Sequence, residues 1–359
     1  MVNEILNQET KRKNKIVAYW FLIGVFMIIV QTLLGGITRL SGSGLSITEW
    51  NVVTGAIPPL SENAWIAEFT KYKSSPQFQY LNSDFTLSDF KFIFFWEWFH
   101  RLWARLLGFV FLIPFIYFIV KRYFTKEMIL PIFGMFVLGA LQGAIGWIMV
   151  ASGLVGDAIY VRPTKLAMHF VMAMVLACYV AWFAFKLLID DKDRAQHQGL
   201  KWLMIVTLIL LFVQFTYGAL MAGHKAATVA STWPTINGTW VPENMNQSPS
   251  GHYLLENKLT IHFIHRNLAY LIFILISIYT FVGMRLSGSK KFKNWRIYPF
   301  VLGVIQVLLG IFTVLSSVTI HANQWKVFET IALAHQMVAM FLMLALLLQI
   351  FLLNKRSAH

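Results

Sequence analysis

Eight apolar stretches, each long enough to cross a bilayer as a helix, constrain the fold of this 359-residue chain more than any other feature. They cover residues 17–37, 95–120, 129–151, 165–188, 202–223, 260–284, 297–318 and 330–353. Charged residues make up 13% of the chain, whereas ordinary soluble domains contain about a quarter. The sequence therefore predicts an all-α polytopic membrane protein with eight transmembrane helices, and it excludes a soluble enzyme.

The distribution of Lys and Arg predicts how these helices are oriented. Of the 30 basic residues, 18 lie in short segments at one set of helix ends. These are Lys11, Arg12, Lys13, Lys15, Lys121, Arg122, Lys126, Lys186, Lys192, Arg194, Lys201, Arg285, Lys290, Lys291, Lys293, Arg296, Lys355 and Arg356. By the positive-inside rule these ends are cytoplasmic. Both termini are then cytoplasmic, and two larger loops, about 38–94 and 224–259, face outward.

The basic excess gives a formal net charge of +14, which in a soluble protein would suggest nucleic acid as a partner. In this apolar, aromatic-rich chain the same residues serve as topology signals, so we expect a lipid bilayer and no nucleic acid. The N-terminal segment carries Glu4 and Glu9, unlike the acid-poor transit peptides of organellar proteins. We therefore expect a protein of the bacterial inner (cytoplasmic) membrane.

Polar residues inside the apolar stretches recur at a nearly constant interval. The matching pairs are His100 and His265, His169 and His335, Gln142 and Gln306, and Gln31 and Gln214. Three of the four offsets lie between 164 and 166 residues, and loop length absorbs the larger fourth one. Two sets of four spans that both begin inside predict two pseudo-two-fold related four-helix bundles. We place these halves at residues 1–195 and 196–359.

The four histidines are candidate metal ligands, because an ionisable group inside a transmembrane helix is costly and needs a role. Each lies near the predicted outer end of its helix, so each half offers two imidazoles at one depth. Such a pair suits haem iron, and a bundle interior is a usual place for a cofactor. Zinc would need three or four ligands, and the only cysteine, Cys178, cannot complete such a set. For any single histidine, a hydrogen bond between helices is the alternative.

Three arginines accompany the histidines near the predicted outer interface: Arg101, Arg105 and Arg266. A haem carries two propionates, and arginine pairs well with carboxylates. These arginines are therefore candidate cofactor-binding residues. For Arg105 the alternative is a side chain that extends from a helix end to the membrane surface.

One acidic residue breaks the repeat. Glu97 lies three residues before His100 on the same helix face, and His262 takes the corresponding place before His265. A carboxylate beside one site only suggests one catalytic site and one fixed cofactor. Glu97 would then donate or accept protons. His262 is either an outer-shell group or a competitor of His265 as a ligand.

Glu97 also has a purely structural interpretation. Thr86 and Asp89 resemble a capping pair that starts this helix early. Glu97 could then be an acid near a helix N-terminus, where the helix dipole favours negative charge. The sequence leaves both interpretations open.

Several motifs, in order along residues 30–340, resemble the haem A synthase family (Cox15/CtaA), and specifically its Cox15-type branch. They are Gly35-Gly36-Ile37-Thr38-Arg39-Leu40-Ser41, Ser43-Gly44-Leu45-Ser46, Phe90-Lys91-Phe92-Ile93, Glu97-x-x-His100-Arg101, Gln142-Gly143-x-x-Gly146-Trp147, Leu166-Ala167-x-His169, Trp240-Val241-Pro242-Glu243, His265-Arg266 and His335-Gln336. The resemblance covers nearly the whole chain.

This resemblance implies an enzyme that oxidises a ring methyl of haem O to a formyl group through an alcohol, giving haem A for terminal oxidase. It implies that His100 and His169 address the substrate haem, with Glu97 as the essential carboxylate. It also implies that His265 and His335 are axial ligands of a haem b cofactor. A haem O synthase is then the natural upstream partner. The electron donor and a homo-oligomeric state are left open.

The chain departs from the Bacillus-type members, which carry a cysteine pair in the first outer loop. That loop contains no cysteine here, so a mechanism that needs this thiol pair is excluded. The main alternative function is a di-haem b membrane protein that transfers electrons, such as a quinone-linked cytochrome. A transporter with parallel repeats would place broken helices and polar groups near the middle of the membrane, and these spans are largely unbroken.

Overall fold

The computed structural model describes residues 2–49, 54–248, 250–320 and 324–354. In chain order its α-helices are α1 (Val2–Leu40), α2 (Glu62–Lys73), α3 (Pro76–Leu81), α4 (Leu87–Val120), α5 (Lys126–Ala151), α6 (Pro163–Leu188), α7 (Gln198–Gly223), α8 (Tyr253–Glu256), α9 (Lys258–Arg285), α10 (Lys290–Trp295), α11 (Tyr298–Ser316) and α12 (Val327–Leu352). The basic residues Lys355 and Arg356 lie outside the described residues.

Eight helices are long and apolar enough to cross a membrane, which confirms the predicted fold class. They are α1, α4, α5, α6, α7, α9, α11 and α12, with α10 leading into α11. We call α1, α4, α5 and α6 the N-terminal half, and α7, α9, α11 and α12 the C-terminal half. The pseudo-two-fold relation between these halves stays a prediction.

Two helices extend well beyond the predicted apolar stretches. α1 begins at Val2 rather than at residue 17, and its polar part includes an ion pair of 2.8 Å between Glu9 and Lys13, one turn apart. Such pairs stabilise a solvated helix. Hydropathy marks only the part of a helix that lies in hydrocarbon, so it misses such polar extensions.

α4 begins at Leu87 rather than at residue 95, because a capping box starts it there. Asp89 Oδ2 accepts from the backbone N–H of Thr86 at 2.9 Å, and the Asp89 N–H donates to the Thr86 hydroxyl. This confirms the predicted capping pair. The first turns of α4 then pack on α2 and α3 through an aromatic cluster of Phe69, Tyr72 and Phe90.

The main core lies where the two halves meet. α6 packs on α1 and on α7, while α12 packs on α1, α6 and α7. Met174, Ala177, Met204, Met340 and Met343 are fully buried there. Flexible methionine side chains fill irregular gaps between helices. The peripheral helices therefore flank a shared central packing surface.

The helix contacts of the two halves correspond at three places and differ at one. The α1–α4, α1–α6 and α5–α6 contacts match α7–α9, α7–α12 and α11–α12. α9 also packs directly on α11, whereas the backbones of α4 and α5 make no comparable contact within the described ranges. α4 and α5 instead meet through long side chains, with the rings of Phe111 and Phe136 4.7 Å apart.

The connections at one end of the bundle contact each other, and we call this the long-loop end. Gly153, after α5, lies against Leu45 of the first long loop. Lys225, after α7, donates to the hydroxyl of Tyr160 at 2.7 Å. The hydroxyls of Ser231 and Ser317 are 2.5 Å apart. Both long loops therefore cover the same end of the bundle.

Candidate functional site

The rings of His265 on α9 and His335 on α12 face each other inside the C-terminal half. Their centroids are 6.4 Å apart and their planes are inclined by 70°. One metal ion between two imidazoles needs a centroid separation of about 6 Å, made of about 2 Å for each metal–nitrogen bond and about 1 Å from each nitrogen to its ring centre. The observed spacing therefore fits an ion held from both sides.

His100 on α4 and His169 on α6 form the corresponding pair in the N-terminal half. The two side chains lie within electrostatic range of each other. Among the described residues, no group of three or more His, Cys, Asp or Glu side chains is placed to hold a metal ion. The arrangement of histidines in pairs suits haem iron better than zinc.

Each of the four imidazoles lies against a glycine of a neighbouring helix. A methyl group added at that glycine would come within 3.2 Å or less of the ring. The pairs are Gly35 with His100, Gly146 with His169, Gly218 with His265, and Gly310 with His335. A larger residue at any of these positions would displace the ring, so these glycines provide the space for the imidazoles.

Each of these glycines follows a glutamine by four residues, and the amide of that glutamine contacts the same histidine. The pairs are Gln31 with His100, Gln142 with His169, Gln214 with His265, and Gln306 with His335. A spacing of four residues puts the glutamine and the glycine on one helix face. Each histidine is therefore held by the same two-residue element.

Glu97 lies beside His100 and is buried, with 3% of its surface exposed. Its carboxylate accepts hydrogen bonds from Arg101 at 2.6 Å, from the Ser46 hydroxyl at 2.7 Å and from the backbone N–H of Ile47 at 2.9 Å. A buried carboxylate needs such donors. Because α4 begins at Leu87, Glu97 is several turns inside the helix, and the helix-terminus interpretation is wrong.

Arg101 links Glu97 to the first long loop. Its guanidinium also donates to the backbone carbonyls of Ile47 and Glu49, each at 3.3 Å. The loop thereby closes over the end of the N-terminal pair next to Glu97. The Arg101 guanidinium therefore orients the Glu97 carboxylate, and its predicted role in cofactor binding stays a prediction.

His262 occupies the position of Glu97 in the C-terminal half, and it is also buried. Its Nε2 lies 3.0 Å from a guanidinium nitrogen of Arg266. Since His265 and not His262 faces His335, the geometry favours His262 as an outer-shell group. Arg266 also donates to three carbonyls of the second long loop, those of Thr232, Pro234 and Thr235.

Arg105 lies in the middle third of α4, one turn beyond Arg101, and it is half-buried. Arg101 is among the charged groups that act on it. Arg105 is not a helix-end residue, because α4 continues to Val120. A position beside Arg101 leaves it as a candidate for binding a propionate.

The backbones of α4 and α5 lie farther apart than those of α9 and α11, and we call the gap between them the cleft. The rings of Phe111 and Phe136 bridge it. A methyl group added at Gly108 on α4, or at Gly139 or Gly143 on α5, would meet no atom within 4 Å. In the C-terminal half, a methyl group at Gly303 on α11 would lie 3.4 Å from Phe273 on α9. The α4–α5 contact of the N-terminal half is therefore less closely packed than the α9–α11 contact of the C-terminal half.

An apolar groove of about 260 Å³ lies at the long-loop end, between α1, the first turns of α4 and the segment before α12. Ile37, Phe92, Trp96 and Trp325 line it. Trp96 directly precedes Glu97 in α4, so the groove reaches the neighbourhood of the carboxylate. Apolar walls of this kind suit a hydrocarbon chain.

The sequence predicts the four histidines, but it misses most of what surrounds them. The Gln-x-x-x-Gly spacing in four spans was a usable signal, since it repeats without change. Ser46 and the backbone N–H of Ile47 had no such signal, because Ser46 and Glu97 are 51 residues apart in the chain.

Comparisons with known proteins match this chain over most of its length. The family described as cytochrome oxidase assembly protein, COX15-CtaA, matches residues 18–347. A protein named heme A synthase from Flavobacterium psychrophilum is 38% identical over 86% of this chain and 91% of its own length. A heme A synthase of Flavobacterium johnsoniae is 35% identical over 96% and 100%. One of Bradyrhizobium diazoefficiens is 38% identical over 89% and 87%.

Proposed function

The chain belongs to the COX15-CtaA family of cytochrome oxidase assembly proteins, and we propose that it acts as a heme A synthase with a different task for each half. Like its relatives, it is an enzyme that converts haem O to haem A. The N-terminal half holds the substrate haem O, and the C-terminal half holds a resident haem b. The observation that carries this division is the buried Glu97 carboxylate beside His100, where the other half has His262.

In the N-terminal half, His100 and His169 hold the iron of haem O. Oxidation of the ring methyl to an alcohol adds one oxygen atom and, with water as its source, releases two electrons and two protons. Oxidation of the alcohol to a formyl group releases two more of each, and an external one-electron carrier takes up the electrons. The Glu97 carboxylate accepts protons at Oε1 or Oε2 as the reacting carbon is oxidised. Arg101 and Ser46 hold that carboxylate in place. Arg101 and Arg105 lie on the same helix and pair with the haem propionates.

In the C-terminal half, His265 and His335 are the residues that would hold the iron of a haem b. A haem b bound there would supply one-electron transfer. The 6.4 Å separation of the two rings supports this ligation. Arg266 ties the second long loop to α9 beside this site and is the candidate partner of its propionates.

The cleft between α4 and α5 is the entrance for haem O from the bilayer. Haem O carries a farnesyl tail, and the apolar groove of Ile37, Phe92, Trp96 and Trp325 accommodates part of it. A packed α9–α11 contact keeps the resident haem in the other half. Substrate exchange therefore occurs in one half only.

The membrane placement follows the distribution of basic residues. We place the protein in the bacterial inner membrane, with both termini in the cytoplasm and both haem sites towards the outer face. A haem O synthase supplies the substrate.

The test is co-expression with a haem O synthase in a host that lacks haem A, followed by extraction and mass analysis of the haems. The parent should yield haem A or its alcohol precursor, and Glu97→Ala should yield neither. His262→Ala is the matched control and should retain conversion. Haem B and unconverted haem O alone, from a folded and haem-loaded parent, would overturn the proposal.

A further inference from the structure

We infer that Arg39, at the end of α1, binds a carboxylate of the substrate haem in the N-terminal half. Its guanidinium donates charge-assisted hydrogen bonds to one propionate, on the side of the site that faces the long loops. This inference rests on the proposed function and adds a binding residue from a second helix to the two arginines of α4. Arg39 belongs to the motif of the first span whose Gly35 lies against His100.

The position of Arg39 on α1 directs it towards the protein interior. Gly35 of α1 lies against the ring of His100 on α4. Gly36 of α1 lies against Leu333 on α12. Arg39 follows these two glycines by four and three residues, so it shares their helix face and lies about one turn nearer the long-loop end. It therefore lies beside the N-terminal histidine pair, between α4 and α12.

The guanidinium of Arg39 has hydrogen-bond donors to spare. Within the described part of the chain its side chain donates no hydrogen bond, and Glu329 on α12 is the counter-charge that acts on it. The two groups attract each other at long range without forming a direct ion pair. Glu329 itself is buried, and its carboxylate accepts from the backbone N–H of Lys326 at 2.8 Å.

This arrangement suits an anionic ligand. Arg39 is partly buried, and a charged group away from water is costly unless it has partners. The attraction of Glu329 offsets part of that cost and leaves the N–H groups of Arg39 available. A planar guanidinium pairs with both oxygens of a carboxylate. A propionate is therefore the group that completes the hydrogen bonding of Arg39.

The charged pair occurs at one of two equivalent contacts between the halves. Counted from the repeated glutamines and histidines, Ala222 on α7 corresponds to Arg39, and Pro163 on α6 corresponds to Glu329. At that contact Gly223 packs directly against Pro163, so it is apolar and closed. The charged pair is therefore not part of the scaffold that both halves share, and its arginine belongs to the helix that contacts His100.

The engagement of Arg101 leaves room for a further cation. Arg101 donates to Glu97 and to the carbonyls of Ile47 and Glu49, so most of its N–H groups already have acceptors. Haem O presents two carboxylates. A cation from a second helix can pair with one of them without disturbing the bond that orients Glu97. Arg39 is placed to supply it.

The test compares haem O with its dimethyl ester, which lacks both carboxylate charges. Each is titrated into purified protein in detergent, and binding is followed by haem absorbance. The parent should bind haem O more tightly than the ester. Arg39→Gln should weaken binding of haem O about tenfold, the lower end for a hydrogen bond to a charged group, and leave ester binding unchanged. Arg39→Lys keeps the charge and loses the planar fork, so its preference for haem O should fall by less.

Glu329→Gln is the matched control, because it removes the counter-charge and retains Arg39. It should keep the parental preference for haem O over the ester, whereas an arginine that served only Glu329 would give the same result in both variants. Haem b content, measured by extraction, should match the parent throughout. Where Arg39→Gln does not fold, the reduced preference in Arg39→Lys decides.

A parental preference for haem O in the Arg39 variants would overturn the inference. Equal weakening of haem O and ester, or a loss of haem b instead, would also overturn it. None of these measurements requires conversion. A parent that binds haem O with this preference and converts none of it would contradict the proposed function alone. A parent that binds neither ligand would overturn both.

Discussion

The two halves share one histidine framework and differ in what lies next to it. In both, two imidazoles lie against glycines, and glutamines contact them. The N-terminal half adds the Glu97–Arg101 pair and an open cleft between α4 and α5. The C-terminal half has His262 with Arg266 and a packed α9–α11 contact. Two similar histidine frameworks thus differ in the charged group beside the histidines and in the packing of the outer helices.

Arg101 and Arg266 each make two kinds of contact, one with a long loop and one with a side chain of their own helix. Arg101 and Arg266 each bind carbonyls of a long loop, and each contacts the side chain one turn before it in its helix. Only in the first half is that side chain an acid. Loop anchoring is therefore common to both halves, whereas a buried carboxylate beside the anchoring arginine belongs to one.

The largest expected effect is a loss of haem b that follows substitution of one histidine pair and not of the other. His265→Ala or His335→Ala should reduce the haem b content of purified protein by more than about tenfold, because even outer-shell partners account for 10- to 100-fold. His100→Ala and His169→Ala should retain haem b and lose conversion. Haem extraction and quantification per mole of protein measures both. Equal haem b loss in all four variants would contradict the division of tasks.

The next-largest effect is expected when Glu97 is replaced by histidine, the residue at the corresponding place in the C-terminal half. Glu97→His copies the His262–Arg266 arrangement, so the protein should fold and retain haem b. Conversion should fall about 100- to 10,000-fold, the usual contribution of general acid–base catalysis. Haem A yield in the co-expression host measures it, with His262→Gln as the control. Conversion near the parental level in Glu97→His would show that the acid does not define the substrate half.

A smaller effect concerns the cleft. Gly143→Phe should fill open space and reduce conversion about tenfold, equal to about 1.4 kcal/mol, with haem b content unchanged. Gly303→Phe should instead overpack the α9–α11 contact and lower stability by about 1–3 kcal/mol. Haem A yield and thermal unfolding in detergent distinguish the two. Parental conversion in Gly143→Phe would mean that haem O enters elsewhere.

The smallest expected effect is a loss of stability at alkaline pH in the first long loop, which the second long loop should not show. Burial raises the pKa of Tyr72 to about 12, and the nearby charge of Glu97 acts in the same direction, while the Asn82 hydrogen bond opposes them. Because the folded value exceeds the unfolded value of about 10, this contribution to loop stability is present below pH 10. It is lost as the pH rises through 12.

Hydrogen exchange of residues 62–81 between pH 9 and 12 measures this loss. Tyr72→Phe should remove the alkaline step. The second long loop is anchored instead by carbonyls that accept hydrogen bonds from Arg266, so we expect that loop not to loosen at the same step. Identical alkaline behaviour of Tyr72→Phe and the parent would show that Tyr72 does not hold the first loop.

Much of the fold was predictable from sequence, because a bilayer imposes a local rule. A span must be apolar for about 20 residues, and its backbone must satisfy its own hydrogen bonds as a helix. Hydropathy did not predict the polar extensions of α1 and α4. The Thr86–Asp89 capping pair did indicate the early start of α4. Capping is also local, so it can be read directly from neighbouring residues.

The sequence by itself determined the eight spans and the histidines of the two sites, since an ionisable group in an apolar span stands out. Only the tertiary structure decided that Ser46 and the Ile47 N–H reach Glu97, and that a cleft opens between α4 and α5. Contacts between distant segments depend on how side chains fill the space between helices. Hydropathy carries no information about that packing, so the difference between the two halves became visible only in three dimensions.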